Sequence, residues 1–156
     1  MPISRTPGSK RPATRTGRPA TPSRPRPAVG YSRRSRLDKL GVKPGMRVAV
    51  VGLGDEAFRR ELRARTDDIV EGRPRKDTEM ILFAVDGAAA LERLGALQRA
   101  ITRDGAIWVV WPKGQAHIKE GMIRAAAIAQ GLVDIKVMAF SETLSGLKLV
   151  IPVARR

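Results

Sequence analysis

The sequence predicts one three-layer α/β domain over residues 35–156, with a mostly parallel sheet and an antiparallel C-terminal hairpin, preceded by a basic tail over residues 1–34. Three observations carry this expectation. Short unbroken apolar runs, RVAVV, MILFAV and AIWVVW, read as strands buried on both faces. Segments of helical period alternate with them. The first 36 residues hold ten basic residues, seven prolines and no acidic residue, a composition with too little apolar surface to repay ordering.

Within the domain, Ser35 is placed to cap a short helical turn with Leu37 and Leu40 inward and Gly41 ending it, and Val42-Lys43-Pro44-Gly45 turns into the first strand. Arg47 to Val51 is that strand. A helix over Asp55 to Arg65 follows, with Ala57, Phe58 and Leu62 as its apolar side. Asp68 to Val70 reads as a weak strand, 71–78 as a polar loop, and Met80 to Val85 as a buried strand. Ala88 to Thr102 has the clearest helical stripe, Leu91, Leu94, Leu97 and Ile101, with Arg99 and Arg103 suited to its carboxyl end. After the Asp104-Gly105 turn, Ala106 to Trp111 forms another buried strand. His117 to Gln130 reads as an Ala-rich helix burying Ile118, Met122, Ala125 and Ala129, with Gly131 at a left-handed cap. DIKVMAF and GLKLVIPV, separated by 141–145, complete an antiparallel hairpin. The order β-α-β-β-α-β-α-β-β is that of a Rossmann-like domain.

Composition removes several chemistries. The chain has no cysteine, which excludes disulfides, thiolate nucleophiles and cysteine zinc sites. One histidine without ligand spacing gives no expectation of a metal. No apolar run reaches the roughly 18 residues of a membrane span. The N-terminal segment has neither a secretory apolar region nor, with its prolines, the amphipathic helix of a transit peptide. A cytoplasmic, bacterial-type protein is expected.

In open α/β sheets ligands bind beyond the carboxyl ends of the strands. Those ends here are Gly52-Leu53-Gly54-Asp55, Glu71, Asp86-Gly87 and Trp111-Pro112-Lys113-Gly114. GLGDEA has the form G-x-G-x-x-A between a strand and a helix, where glycines let backbone amides approach a cofactor. Glu71, 19 residues after Gly52, stands where an acid could hold ribose hydroxyls. Two readings stay open: a cofactor turn, or a tight strand-to-helix turn whose Asp55 and Glu56 suit the helix dipole and repel a pyrophosphate. Trp111 beside Lys113 could stack a base and hold an anion, or could cap the core beside a solvated lysine. Asp86 reads as the cap of the next helix or as a cofactor-facing acid. His117 reads as a surface histidine or a general base, and Ser145 and Lys148 as hairpin turn residues. The candidate cofactor-binding residues are Gly52, Gly54, Glu71, Asp86, Trp111 and Lys113; no catalytic set is apparent.

The lead-in GVKPGMRVAVVGLG resembles the first motif of class I methyltransferases, which bind S-adenosylmethionine, and the later element order is similar through Val153. Val50 stands where that motif carries an acid, and Glu56 where it carries a third glycine. The strand and helix that usually follow the first half are compressed into Asp68 to Thr78, and no substrate-binding insertion remains. Over Gly30 to Val150 the chain also resembles a bacterial domain-of-unknown-function family numbered 3052. Four segments carry that likeness: Gly30-Tyr31-Ser32, Leu40 to Gly45 (LGVKPG), Trp108 to Lys113 (WVVWPK) and Ser145 to Lys148 (SGLK). The resemblance implies a methyltransferase-like Rossmann fold and no particular activity.

The charge is lopsided. Of the net +15, the tail and its boundary supply ten, leaving 20 basic against 15 acidic residues beyond Arg36. Arg5, Lys10, Arg11, Arg15, Arg18, Arg24, Arg26, Arg33, Arg34 and Arg36 form a candidate polyanion-binding arm for RNA, DNA or the ribosome surface. A solubilising extension is the alternative. Taken together, the sequence favours a non-catalytic Rossmann-like binding or regulatory module. A minimal S-adenosylmethionine-dependent methyltransferase using the Gly52–Gly54 turn, or a sensor of NAD or an adenine nucleotide, stand as alternatives.

Overall fold

A computed structural model describes residues 35–156. Every residue assigned to the polyanion arm except Arg36 therefore lies outside the described residues. The chain divides into two units, the second running from Leu40 to Arg156. A short helix, α1 (Arg36–Leu40), opens the described part, and Ser35 caps it by accepting the Asp38 N–H on its Oγ at 3.2 Å.

The second unit is built on six strands: β1 (Val48–Val51), β2 (Ile69–Glu71), β3 (Thr78–Ala84), β4 (Ile101–Pro112), β5 (Val133–Ala139) and β6 (Leu144–Val150). Their spatial order is β2-β1-β3-β4-β6-β5. The first four run parallel, while β6 pairs antiparallel with both β4 and β5. This is the predicted mostly parallel sheet with an antiparallel hairpin. All of β1 is buried, as expected of a strand covered on both faces. Alternation along β4 divides the core. Ile107, Val109 and Trp111 join Phe83, Leu94 and Ile123 in one cluster. Trp108 instead donates its indole N–H to the Leu40 carbonyl at 2.9 Å. The ring passes over Gly146 of β6, where a Cβ would come within 3.3 Å of that indole.

The helices are α2 (Glu56–Arg65), α3 (Leu94–Gln98) and α4 (Glu120–Ala129), with a 3-10 stretch over Ala88–Arg93 before α3. Three expectations are corrected here. The long helix expected over Ala88 to Thr102 is this 3-10 stretch plus one short helix, and the chain is already in β4 at Ile101. Its stripe of Leu91, Leu94, Leu97 and Ile101 is buried all the same, because a 3-10 turn also places i and i+3 on one side. Ala57 is exposed, leaving Phe58 and Leu62 as the buried side of α2. Helix α4 starts three residues after His117, and it buries Ile123 and Ala127 while Ala125 and Ala129 face outward. Alanine is small enough to sit on either face, so an Ala-rich helix marks its buried side poorly. Its end is as predicted: Gly131 has φ +77°, its N–H bonds the Ile128 carbonyl, and Leu132 N–H reaches the Ala127 carbonyl at 2.8 Å.

Between β2 and β3 only six residues, 72–77, make the connection, where a helix would ordinarily cross over. Arginines hold it in place of helix packing. Arg47 Nε pairs with Asp68 Oδ2 at 3.0 Å and its Nη1 donates to the Lys76 carbonyl at 3.1 Å, while Arg75 pairs with the other Asp68 oxygen. These contacts hold the Asp68 carboxyl below its ordinary value, chiefly through the hydrogen bond from Arg47.

Candidate functional site

The turn after β1 is set by Gly52. Its φ of +76° is one that L side chains rarely adopt, and a Cβ there would meet the Ala84 carbonyl oxygen at 3.3 Å. Gly54 is different in kind. It has no positive φ, and a Cβ at Gly54 would have no neighbour within 4 Å. The fold needs the first glycine; the second leaves open space above the turn.

Asp55 then caps α2, its Oδ1 accepting the Phe58 N–H at 3.0 Å. Buried Phe58 meets buried Phe140 edge-on, with ring centroids 5.1 Å apart. Phe140 ends the strand side of the hairpin, where Ser141 makes the turn by accepting the Thr143 and Leu144 N–H groups on Oγ at 3.3 and 3.1 Å. The aromatic contact thus holds the hairpin turn across from the Gly52–Glu56 segment. Between them lies a cleft of about 620 Å³ at the carboxyl ends of β1, β3 and β4, a volume suited to a small-molecule ligand.

Its charge is of one sign. Asp55, Glu56 and Asp86 line it, and among the described residues that line it none is lysine, arginine or histidine. Asp55 is committed to the cap, and Glu56 Oε1 accepts from Arg59 Nη1 at 2.8 Å. Asp86 is exposed and does not cap the next element: Gly87 holds that position with no side-chain bond. The expected cap is thereby corrected, and Asp86 is a cleft carboxylate. In a chain of strongly positive net charge, this cleft is locally acidic.

Glu71 does not line the cleft. Its Oε2 lies 2.9 Å from Arg59 Nε and 4.0 Å from Arg63 Nη2. Arg59 also donates to the Leu53 carbonyl at 3.3 Å, so one guanidinium ties the glycine turn, the first turn of α2 and the end of β2. These bonds, that to Glu56 foremost, raise the Arg59 pKa.

Trp111 and Lys113 lie apart from Gly52, Gly54 and Asp86. They line a separate cleft of about 430 Å³ together with Lys119, Glu120 and Ser145. Alternation along β4 is the reason: Val110 and Pro112 face the first cleft, and Trp111 faces the other side, 5% exposed in the core cluster. His117 is exposed and lines neither cleft. Ser145 and Lys148 are strand residues of β6, and Ser141 does the turn chemistry expected of them. Sequence reasoning missed Ser141, Thr143 and Arg59. Only Arg59 left a signal, at i+3 from Glu56 on a helix.

The fold is Rossmann-like, of the kind found in class I methyltransferases. Among solved structures the chain is similar to a candidate type 11 methyltransferase from Sulfolobus solfataricus, at TM-score 0.57 and 13% identity, covering 75% of this chain and 89% of that one. It is similar also to an S-adenosylmethionine-dependent methyltransferase from Aquifex aeolicus, at TM-score 0.53 and 15% identity, covering 74% and 87%. Magnesium protoporphyrin IX methyltransferase from Synechocystis, solved with bound S-adenosylhomocysteine, superposes at TM-score 0.53 and 11% identity over 74% and 78%. At such identities the likeness is one of fold. No family model and no curated protein matches the chain.

Proposed function

We infer that the domain binds S-adenosylmethionine in the acidic cleft and is a minimal methyltransferase of that class. One observation carries the reading: on a methyltransferase fold, the cleft at the strand ends is lined by Asp55, Glu56 and Asp86 with no cation among its described lining residues. Carboxylates repel the pyrophosphate of NAD or the triphosphate of ATP, and they favour a cationic sulfonium. The open space at Gly54 supports a close approach to the backbone there.

When bound, S-adenosylmethionine supplies an electrophilic methyl group. The Gly52–Gly54 turn would offer backbone amides, and Asp86 would accept a hydrogen bond or a proton from the methyl acceptor. Arg59, which holds Glu71 outside the cleft lining, would steady the turn through the Leu53 carbonyl. Trp111 and Lys113, in the other cleft, take no part.

Binding without turnover remains the second reading, and the six-residue connection after β2 favours it by leaving the cleft without a covering insertion. Calorimetry with S-adenosylmethionine, S-adenosylhomocysteine, NAD and ATP tests both. Micromolar affinity for the first two and none for the nucleotides is expected. Binding of NAD or ATP alone overturns the assignment, and binding without methyl transfer to any supplied acceptor returns the domain to a non-catalytic module.

The four shared segments support membership of the bacterial family numbered 3052. The lack of cysteine accords with a cytoplasmic setting, and among the described residues no helix is long and apolar enough to cross a membrane. The basic arm supports a role in polyanion contact; deleting 1–29 should then abolish salt-sensitive RNA binding, and unchanged binding would remove the arm from that role.

A further inference from the structure

At the opposite ends of the central strands, another cleft of about 460 Å³ opens near the N-terminal end of β3 and the C-terminal end of β6. Apolar residues, among them Met80, Ala106 and Val150, form part of its lining. Into this setting the sequence sends a lysine. Lys148 lies on β6 directly opposite Trp108 of β4 on one side and Lys136 of β5 on the other. Its Nζ comes within 3.7 Å of where a Cβ at Gly41 would sit.

Half-buried cations are ordinarily paired, and like charges directly opposite across two strands destabilise the pair. Lys148 meets neither need: among the described residues it has no hydrogen bond or ion pair. Burial holds its ammonium below the ordinary lysine range, and the charge of Lys136 adds to the effect. Lys43 and Arg156 line the same cleft and bring two more positive charges. Two carboxylates share the lining: Glu79, whose Oε1 accepts the Arg47 N–H at 2.8 Å, and Asp104. Thr102 lines it as well, and its Oγ1 is buried without a partner.

We propose that this cleft binds a small oxyanion, a carboxylate or phosphate group, on the Lys148 ammonium with Lys43 and Arg156 beside it. An anion there offsets both the desolvation and the cross-strand repulsion. Asp104 lines the same cleft and opposes it, which weakens the binding. The ligand class differs from that of the acidic cleft, and the proposal does not depend on S-adenosylmethionine binding.

The test titrates the full chain with inorganic phosphate and, separately, with acetate, followed by amide NMR. A binding anion shifts the Gly41, Thr102 and Gly105 amides along a saturable curve, and whichever probe saturates identifies the group. Lys148→Met should weaken that curve at least tenfold and Lys148→Arg should retain it. Linear shifts for both probes, or equal affinity in Lys148→Met, overturn the proposal. As a check that needs no variant, the Lys148 side-chain resonance of the native chain should titrate at higher pH once the anion saturates. No movement of that midpoint also overturns it.

Discussion

Alanine at Gly52 and alanine at Gly54 should have opposite consequences, although the two glycines are two residues apart in one turn. At Gly52 the new Cβ is forced into a left-handed backbone at φ +76° and against the Ala84 carbonyl oxygen at 3.3 Å. The left-handed conformation costs an L residue roughly 1–2 kcal/mol. Crowding adds to that and the stiffer unfolded chain offsets part of it, so the net loss is about 1–2 kcal/mol. For a domain of about 120 residues each kcal/mol moves Tm by about 4 °C, which predicts a fall of about 4–8 °C. At Gly54 the backbone is already acceptable to alanine and a Cβ meets nothing within 4 Å. Gly54→Ala should therefore leave Tm unchanged or raise it by about 2–4 °C, through the unfolded state. Its cost falls on the ligand. A methyl group in the space the turn leaves open should weaken S-adenosylmethionine at least about tenfold, or about 1.4 kcal/mol. Calorimetric melts and ligand titrations of both variants measure this. A Gly54→Ala protein with native affinity would refute the placement of the ligand over the turn. An unshifted Tm in Gly52→Ala would refute the division of labour between the glycines.

Further outcomes follow from other contacts. Arg59→Gln should lower S-adenosylmethionine affinity severalfold, because the Gly52–Gly54 turn loses the guanidinium bond to the Leu53 carbonyl; equal affinity would show that the turn keeps its shape without that bond. Asp68 has a depressed folded pKa, so its contribution is complete above the ordinary carboxylate range and lost as pH falls through the depressed value. Melts of native and Asp68→Asn protein should then differ near neutrality and converge as pH falls through that depressed value; a constant difference would refute the linkage. Trp108→Phe leaves the buried Leu40 carbonyl without its indole partner and should cost about 1–3 kcal/mol, read from denaturant unfolding; a loss under about 0.5 kcal/mol would show that the carbonyl finds another donor.

The mostly parallel sheet and the hairpin were legible because buried parallel strands appear as unbroken apolar runs, and MILFAV and AIWVVW are long enough to stand out. Gly131 was legible for a local reason, a helix stop that needs φ above zero. The helix before β4 was misjudged because a 3-10 turn and an α-helix place Leu91, Leu94 and Leu97 on one side alike. The site was half legible. Gly52, Gly54 and Asp86 came together because strand ends gather wherever parallel strands align. Trp111 did not join them, since neighbours in a strand face opposite ways and a motif read as a string hides that parity. Glu71 pairs with Arg59, and Ser141 and Thr143 reach the cleft through the Phe58–Phe140 contact. Such long-range contacts have no short-range signature in the sequence.

The single strand β4 supplies one wall to each of two clefts, Val110 and Pro112 on one side and Trp111 between them on the other. The partition between the clefts is therefore one residue thick. A one-residue deletion in this stretch would exchange their walls, bringing an indole into the acidic cleft and emptying the core of it. The two faces cannot drift independently, so a change of specificity in either cleft has to come from the loops around it.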